Sequence, residues 1–594
     1  MKNTYIALAL AVAAMGGLSS CSDELDVTNP NTQTTDDFGK DESSLQEAII
    51  SCYNRIRLEG TFARVGYTMD AVRGDEVYNA SQIWYLPYDN MNVASTDEIG
   101  NQWIWRDCYH VVNRTNYVLQ QVEKVALSQD SYNKIKGQAL FLRALAYYTL
   151  ATYHHECCLI TSYSSYSDIN TMYASLNTYD EVLDQVEADL KEAMAILPSK
   201  SVGGDFAKGR ATCGSAAGYM ARTLMLRHKY DEAYEILKDI IAGTYGHYAL
   251  TADYGDNFRE GKDYENNVES LFEVQYMDYG TGGVDEEWTP VNISKDATQG
   301  HAVESNYGPA AFGSWADLAA SPWLYNLYKA EKCTDGRLDP RLYWTISSYE
   351  SEYDSYTGNA TAAYPNGDPR QNVLYQTAIT ADNEADTRAN GTNGGLAIAK
   401  WTYARQSVTS TIVTGLHCGI NLRLMRYSDV LLRAAECENE LSGPTQTAID
   451  YINEVRRRVA LPDLKKSDFN SADELFEQIA NVERPKEFGC ENGRGIDLNR
   501  WGFYYNAGRK EQLKAHMMYK LSDNVADAKA ECPVEKLGES GYDSSMSHYI
   551  TGHEYFPIAQ STLDANPHLT GNCAYNSVQP EFNYTVHPVV NLNK

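Results

Sequence analysis

Cys21 is the residue whose type and setting point most directly to a chemical reaction. It ends the stretch Leu18–Cys21, and an apolar run, Tyr5–Met15, precedes that stretch soon after Lys2. The run is too short to span a bilayer stably, so it predicts an export signal that is cleaved off. The stretch itself resembles the bacterial lipobox, in which the cysteine becomes the lipidated first residue of the mature chain. We therefore predict a signal peptide over residues 1–20 and a lipid anchor on Cys21; the alternative is an ordinary signal peptide cleaved near an unrelated cysteine.

The remaining sequence carries none of the common catalytic motifs. No G-x-S-x-G, H-E-x-x-H or phosphate-loop sequence stands at a predicted strand–helix junction. A glycoside hydrolase needs two carboxylates at a set separation, but 80 acidic residues supply so many pairs that their presence carries no weight. We predict no catalytic residue from the sequence.

Metal and disulfide chemistry have little support in the sequence. The chain has 12 cysteines, but it has no C-x-x-C pair and no Cys/His cluster at zinc spacing. Its Asp/Asn-rich loops offer oxygen ligands for calcium, but without an EF-hand-like spacing. We expect buried free thiols with a few disulfides at most, no cofactor and no metal-binding residues that can be named; a bound calcium ion stays open as an alternative.

Charge and aromatic content narrow the function. The net charge is -30, and loss of the signal peptide removes only the charge of Lys2. Such a chain is not expected to bind nucleic acid, because phosphates require a basic surface, nor to dock electrostatically on anionic lipid. The 45 tyrosines and nine tryptophans offer flat apolar faces with a polar handle, which is typical of wet binding surfaces.

Apolar residues recur at helical spacing along much of the chain. Helices are predicted at Leu45–Leu58, Trp103–Val125, Ile135–Tyr153, Tyr179–Leu197, Ala211–Arg227, Tyr230–Ala242, Leu424–Leu441 and Gln446–Val459. The last four form two helix pairs, and Tyr230–Ala233 resembles the start of a helix in the tetratricopeptide repeat. Because such units bury their faces only against neighbours, we predict that the two pairs pack together across about two hundred residues of sequence.

Helical periodicity fades between roughly Asn266 and Gly419. Gly, Asn, Asp, Tyr and Trp punctuate this region, and Ser270–Tyr276 has the composition of a short strand. A long irregular insertion within a helical scaffold is more often functional than accidental. We therefore expect the insertion to contribute to a binding site.

Several motifs stand in an order that resembles one family. They are Gln138–Tyr148, Glu269–Glu273, Leu424–Glu436, Ile452–Arg456, Glu483-Arg484, Glu487, Arg494, Asp497-Leu498, Arg500–Gly502, Tyr555–Ile558 and Asn566–Leu569. Together they resemble the SusD/RagB family of surface glycan-binding lipoproteins over nearly the full length. The resemblance implies a mainly α fold: a SusD-like α/α superhelix with tetratricopeptide-type helix pairs and a loop-rich, short-strand ligand-binding region. Residues 21–594 would form one SusD-like domain, with a helical scaffold at about 41–265 and 420–594 and the insertion at about 266–419.

The resemblance also implies a function, which is non-catalytic. Such a protein binds oligosaccharide or polysaccharide and delivers it to a SusC-like TonB-dependent outer-membrane transporter, which it covers as a hinged lid. The expected location is the outer membrane, lipid-anchored and facing the extracellular side; the acidic residues directly after Cys21 also resemble signals for surface export. Two alternatives stay open: a secreted polysaccharide-degrading enzyme, and a helical protein-binding scaffold or adhesin.

Some charged residues of these motifs resemble catalytic groups in type. They are Arg143, Glu483, Arg484, Asp497 and Arg500. At helix ends such residues more often make charge-assisted bonds that lock a scaffold, and we interpret them in that way.

The predicted sugar site follows from the chemistry of a pyranose. Its apolar C–H face stacks on an aromatic ring, and its hydroxyls bind planar polar side chains. In the family, such residues come from the loop after the first helix and from the central irregular region. The residues predicted to bind glycan are Trp84, Tyr85, Trp288, Tyr307 and Trp315, with Arg73 and Asn90 as hydroxyl partners.

Other aromatic residues of these segments are assigned to the interior. Trp103 and Trp105 lie on a predicted helix, and Trp323 has the surroundings of a core residue. Asp75 and Tyr88 accompany the predicted contacts in the first loop.

Overall fold

A computed structural model describes most of the chain from residue 39 onward. The described residues are 39–80, 82–163, 173–277, 300–308, 314–347, 396–402, 418–517, 549–550, 552–569 and 586–592. Among them, no helix combines the length and the apolar character that crossing a membrane requires.

The N-terminal half is built from helices. They are α1 (Glu42–Arg55), α2 (Val65–Val72), α3 (Leu86–Asp89), α4 (Glu98–Val122), α5 (Gln129–His154), α6 (Tyr179–Ile196), α7 (Lys200–Gly203), α8 (Cys213–Leu226) and α9 (Tyr230–Ile241). The six helices predicted here are confirmed as α1, α4, α5, α6, α8 and α9. Helices α1, α4 and α5 begin three to six residues earlier than predicted, because their polar first turns carry no apolar periodicity.

The second half adds shorter helices and one long pair. They are α10 (Val303–Tyr307), α11 (Pro322–Lys329), α12 (Pro340–Thr345), α13 (Tyr427–Ser442), α14 (Gln446–Arg458), α15 (Ala472–Gln478), α16 (Arg484–Phe488), α17 (Arg494–Arg500), α18 (Ala507–Met517) and α19 (Gln560–Ala565). Single turns of 3-10 or π-helix lie at Glu59–Ala63, Ile83–Tyr85, Gly204–Ala207, Tyr254–Asn257, Lys466–Asp468 and Ile479–Glu483.

Within the described residues, short strands form two antiparallel sheets. They are β1 (Val77–Asn79), β2 (Ser270–Val274), β3 (Leu318–Ala320), β4 (Ile346–Ser347), β5 (Ala397–Ile398) and β6 (Leu422–Arg426). The larger sheet has the order β1-β3-β5-β4, and β2 pairs with β6 in the smaller one. The strand predicted at Ser270–Tyr276 is confirmed as β2.

The helix predicted to begin at Leu424 is wrong at its start. Residues 424–426 belong to β6, where Met425 pairs with Phe272, and α13 begins only at Tyr427. The backbone amide of Tyr427 donates to the carbonyl oxygen of Glu269 at 2.8 Å. Pairing with a distant strand therefore overrides the local helical pattern.

Helix α5 lies at the centre of the core. Every residue from Gly137 to His154 is buried, and α4 and α6 pack along the helix. Arg143 is the charged residue of this run, and it donates to both carboxylate oxygens of Asp189 at 2.7 Å. Its interpretation as a structural charge is confirmed.

The predicted packing of the two helix pairs is also confirmed. Helix α8 packs on α9, α13 packs on α14, and α9 packs against α13. Arg222 of α8 donates to Asp429 of α13 at 2.8 Å, so charge as well as apolar contact joins the pairs.

A group of buried charges joins the smaller sheet to the C-terminal helices. Arg426, at the end of β6, donates to Glu269 at 2.9 Å and to Glu491 at 2.8 Å, and it contacts Glu487. Arg458 of α14 donates to the other oxygen of Glu269 at 2.9 Å and contacts Glu487 as well. These five residues are the Arg426 cluster. Burial alone would raise the pKa of Glu269, but Arg458 and Arg426 outweigh it and lower the pKa to about 2.

The remaining charged motif residues are also paired inside the scaffold. Arg484 donates to Asp497 at 2.6 Å, and Arg500 donates to the other oxygen of Asp497 at 2.8 Å. Arg456 donates to Glu483 at 2.7 Å. The structural interpretation of these charges is confirmed.

The cysteines agree with the sequence prediction. The nine cysteines that the structure describes are all buried free thiols, including Cys52 and the neighbours Cys157 and Cys158. Burial raises the pKa of the Cys52 thiol to about 12, so it stays protonated.

Replacing Glu487 by Gln should strongly destabilise the protein. The variant leaves Arg426 and Arg458 without one of their counter-charges in the interior, and breaking a buried ion pair costs roughly 3–5 kcal/mol. The matched control is Glu235→Gln, because Glu235 pairs with Lys238 at 2.7 Å while both side chains are exposed. That pair should contribute no more than about 1 kcal/mol. Urea unfolding and thermal melting measure both effects, and equal losses of stability would contradict the role of the cluster.

His587 connects the C-terminal segment 586–592 to the helical scaffold through contacts with two carboxylates. Its Nδ1 lies 2.6 Å from Asp473 Oδ1 and its Nε2 lies 2.7 Å from Glu440 Oε1. Arg509 Nε donates to the backbone oxygen of His587 at 2.9 Å. Only a protonated imidazole donates from both nitrogens. Burial lowers the pKa of His587, but the two carboxylates outweigh that effect and raise the pKa above its ordinary value.

The attachment of segment 586–592 should therefore weaken as pH rises. A raised folded-state pKa gives stabilisation that is complete below the unfolded value of about 6.5 and is lost as pH rises through the folded pKa. Hydrogen exchange of this segment, corrected for intrinsic rates, should show protection that falls through that window. In His587→Gln the protection should be small and independent of pH. Wild-type protection that stays constant across the window would contradict this prediction.

Candidate functional site

Strand pairing brings two distant segments of the chain together. Between α2 and α4 the chain forms β1, the turn Ile83–Tyr85 and α3. Strand β1 pairs with β3, and Ala80 extends the pairing by donating to the oxygen of Asp317 at 2.8 Å. Trp84 follows β1 and Trp315 precedes β3, so the sheet holds both segments in one region of the molecule.

Arg64 lies between these segments with aromatic rings around it. Its guanidinium carbon is 5.7 Å from the ring centroid of Trp84, 5.8 Å from that of Trp103 and 5.7 Å from that of Trp315. The side chain is fully buried, and Nη2 donates to Glu59 at 2.7 Å. Because a cation is attracted to the face of an indole ring, Arg64 helps to hold three tryptophans in place.

The three tryptophans around Arg64 differ in exposure. Trp103 is buried, Trp84 is half-buried and Trp315 is 39% exposed. Tyr85 packs against Trp84 with ring centroids 3.8 Å apart and planes at 26°. The Tyr85 hydroxyl accepts from Asn306 Nδ2 at 2.9 Å, which fixes the tyrosine in the interior. Trp84 and Trp315 are therefore fixed rings that keep part of their surface accessible to solvent.

An open cleft of about 630 Å³ borders Trp84, a volume within the range of small-molecule sites. It is lined by Ile83, Trp84, Leu86, Pro87, Tyr88, Asn90, Asn92, Thr96, Asp97, Glu98 and Ile99. Ile83 is 80% exposed and provides an apolar surface beside Trp84. Amide, hydroxyl and carboxylate groups complete the lining, so the cleft offers both apolar contact and hydrogen bonds.

Tyr88 joins the two sides of the cleft. Its hydroxyl donates to the backbone oxygen of Asp97 at 2.7 Å and accepts from the amide of Gly100 at 2.9 Å. A Cβ atom at Gly100 would lie 2.4 Å from the Tyr88 ring, so only glycine allows this approach. The start of α4, which carries Asp97 and Glu98, is thereby held against α3.

Two carboxyl groups lie buried in the segments that form this region. Burial raises the pKa of Asp89, at the end of α3, to about 8, and it raises the pKa of Glu304, in α10, to about 7. Asp89 is therefore mainly neutral at pH 7. Across the part of the chain that the structure describes, no three His, Cys, Asp or Glu side chains are arranged to hold a metal ion.

Comparison with known families agrees with this architecture. Residues 268–575 match the model of the SusD family, and residues 23–225 match a family described as starch-binding and associating with the outer membrane. The chain belongs to the SusD family. Among its relatives, SusD-like protein P38 of Formosa agariphila is 24% identical over 507 residues, which cover 84% of this chain and 91% of that protein.

Solved structures share the fold of this SusD-family protein. A SusD homolog from Bacteroides thetaiotaomicron aligns with a TM-score of 0.68 at 19% identity, covering 91% of this chain and 99% of that one. A laminarin-binding SusD-like protein aligns with a TM-score of 0.62 at 20% identity, covering 90% and 100% of the two chains. Surface glycan-binding protein A from Bacteroides thetaiotaomicron, in complex with laminarihexaose, gives 0.59 at 19% identity, covering 90% and 99%. The predicted mainly helical SusD-like fold is confirmed.

Three of the residues predicted to bind glycan have side chains that are at least partly exposed to solvent. Trp84, Trp315 and Asn90 are half-buried or exposed, and Trp84 and Asn90 line the same cleft. Trp288, like the predicted lipidation site Cys21, lies outside the described residues.

The prediction of direct glycan contact requires correction for three residues, which are Tyr85, Tyr307 and Arg73. Both tyrosines have no exposed surface, and Arg73 is 3% exposed. Arg73 Nη1 donates to the backbone oxygen of Glu554 at 2.5 Å, and its guanidinium lies 4.7 Å from the Phe556 ring. Side chains without accessible surface offer nothing to a sugar in this conformation, so we assign these three a supporting role.

The aromatic residues assigned to the interior are found there. Trp103 and Trp105 are each 7% exposed, and Trp323 is 8% exposed. In the first loop, Tyr88 is buried, as is Asp75, which accepts from Arg494 at 2.7 Å.

Sequence reasoning missed several residues of this region. They are Arg64, Ile83, Asn92, Asp97 and Glu98. Ile83 begins the apolar run Ile83–Leu86, and nothing in the local sequence shows that its side chain is exposed. The position of Arg64 among three rings depends on long-range packing, and no local pattern indicates it.

Proposed function

We propose that this protein binds an oligosaccharide at the surface formed by Trp84, Trp315 and the adjoining cleft. It does so without breaking a bond, and it passes the ligand to a SusC-like TonB-dependent transporter in the outer membrane. A lipid on Cys21 anchors it there, facing the extracellular side. Membership of the SusD family supports this function, as does the presence of a laminarin-binding protein among the similar structures.

The arrangement around Arg64 carries the proposal. Two tryptophans from separate segments contact one buried cation and still keep accessible surface. Full burial of a large apolar side chain stabilises a protein by about 1.5–3 kcal/mol, so packing alone would favour burying both rings. Rings that are held rigidly yet left accessible are better suited to bind a ligand, since little rotamer entropy is lost on binding.

The cleft supplies the polar partners that a sugar requires. The side-chain amides of Asn90 and Asn92 each donate and accept, which matches hydroxyl groups that do the same. The Trp84 ring borders these groups, so a pyranose could stack its C–H face while its hydroxyls bind the amides.

The geometry gives the enzyme alternative little support at this cleft. A glycosidase needs two carboxyl groups on opposite sides of the scissile bond. The carboxyl groups among the described lining residues are those of Asp97 and Glu98, and Asp97 Oδ2 is already engaged by the backbone amide of Ala94 at 2.7 Å. Incubation with polysaccharides separates the alternatives: turnover supports the enzyme, saturable binding without turnover supports our proposal, and neither supports a protein-binding scaffold.

Trp84→Ala and Trp315→Ala should each weaken oligosaccharide binding roughly tenfold, because an anchoring aromatic residue contributes on the order of 1–2 kcal/mol. Laminarihexaose is the first probe, followed by a panel of oligosaccharides, with affinity measured by calorimetry. Trp288→Ala is measured in parallel. Melting temperatures of the same samples should fall only by a few degrees.

Leu441→Ala is the matched control for these variants. Leu441 is 49% exposed near the end of α13 and does not line the cleft, so its truncation removes exposed apolar surface elsewhere. It should leave affinity unchanged. Unchanged affinity in both Trp84→Ala and Trp315→Ala would contradict the site, as would binding loss explained by a large fall in melting temperature.

Cys21→Ala should release the protein from membranes. Acyl chains on Cys21 hold the chain through about 0.8 kcal/mol for each buried methylene, and the acidic chain has no electrostatic substitute. Fractionation of cells expressing wild type, Cys21→Ala and the neighbouring control Ser22→Ala measures this. Co-sedimentation of the Cys21 variant with the outer membrane would show that the lipid anchor is wrongly assigned.

A further inference from the structure

The charged side chains among the described residues that line the cleft beside Trp84 are acidic. The lining includes the carboxylates of Asp97 and Glu98, two amides and the hydroxyls of Tyr88 and Thr96, and among the described residues that line it there is no Lys, Arg or His. Glu98 is exposed at the rim, whereas Asp97 is half-buried and its Oδ2 accepts from the amide of Ala94 at 2.7 Å. Asp97 is therefore fixed in position, and Glu98 is accessible to a ligand.

Two positive features lie close to the cleft, and neither balances these carboxylates. The Arg64 guanidinium is fully buried and bonded to Glu59, so it has no exposed surface for an anion. The N-terminus of α4 carries a dipole equivalent to roughly half a positive charge, against two full negative charges on Asp97 and Glu98. The charged side chains that the structure describes at this end of the cleft are therefore acidic.

We propose that the oligosaccharide bound at this cleft carries no carboxylate or sulfate groups, and that Asp97 and Glu98 reject anionic glycans. This inference rests on the proposed function. An anionic sugar in the cleft would place its charge near the carboxylates of Asp97 and Glu98. The hydroxyls of an uncharged sugar can instead donate to the same carboxylates, so these groups contribute affinity for one class and repulsion for the other.

The expected size of this selectivity is modest and measurable. Exposed charge pairs change affinity by roughly two- to fivefold each at moderate salt. Two carboxylates should therefore disfavour an anionic ligand by about fivefold or more. Because the repulsion acts between solvent-exposed charges, added salt should reduce it.

The test compares matched ligands on the mature full-length chain. A panel of uncharged and anionic oligosaccharides identifies the strongest uncharged hexose oligosaccharide, and selective oxidation of its primary hydroxyls gives the carboxylate form. We expect the oxidised form to bind about fivefold weaker or worse at low salt, with a smaller difference at about 0.5 M salt. In Glu98→Lys the difference at low salt should shrink by several-fold.

Glu232→Lys is the control for net charge. Glu232 is exposed on α9, which contributes no residue to the cleft, and the substitution changes the net charge by the same amount. It should leave the difference between the two ligands as in the wild type. An anionic glycan as the strongest binder, or a difference insensitive to salt and to Glu98→Lys, would overturn the selectivity while leaving glycan binding intact. Failure to bind every oligosaccharide would overturn the proposed function, and this inference with it.

Discussion

The Arg426 cluster is the interaction on which the arrangement of this protein depends. Glu269 directly precedes β2 and Arg426 ends β6, so their contact joins two residues that lie 157 positions apart in the sequence. Glu487 and Glu491 connect the same arginine to the C-terminal helices, and Arg458 connects it to the second helix pair. Burying these charges is costly unless each is paired, which leaves few alternative arrangements of the surrounding segments.

The geometry of the candidate site also depends on contacts between segments that are distant in the sequence. Strand β3 lies between β2 and β6 in the sequence and pairs with β1 of the N-terminal half, which sets Trp315 relative to Trp84. Arg64 then completes the arrangement, because its cation attracts both rings while Glu59 neutralises its charge. A buried cation beneath two accessible rings gives rigidity without covering the ring surfaces. Such preorganisation lowers the entropic cost of binding a flexible oligosaccharide.

The scaffold was largely predictable from sequence, because helical periodicity is a local property. Helices such as α6 and α14 carry their apolar stripe and their caps within their own residues. The start of α13 was not predictable in this way, since residues 424–426 form a strand only because β2 lies beside them. A local sequence pattern does not show which distant strand a segment pairs with. The helix was therefore predicted to begin too early, at Leu424.

The candidate site was predictable only in part, for the same reason. Residue type and polar surroundings pointed to Trp84 and Trp315, which do keep accessible surface. The same reasoning chose Tyr85 and Arg73, whose burial depends on partners that are remote in sequence, Asn306 and Glu554. The exposed fraction of a side chain depends on the whole fold. Residue type can therefore suggest that a residue contacts sugar, but it does not show that the side chain is accessible.

The acidic residues have one effect through the net charge of the whole chain and another through the two carboxylates of the cleft. A net charge of -30 repels an anionic membrane surface, and salt screens that repulsion at distances beyond about 8 Å. In the proposed site, the carboxylates of Asp97 and Glu98 would act on a bound ligand at short range, and added salt would weaken their repulsion of an anionic one. An uncharged glycan meets them as hydrogen-bond acceptors, and an anionic one meets them as like charges. The distribution of charge at the cleft, more than its total on the chain, thus determines which ligands the proposed site can hold.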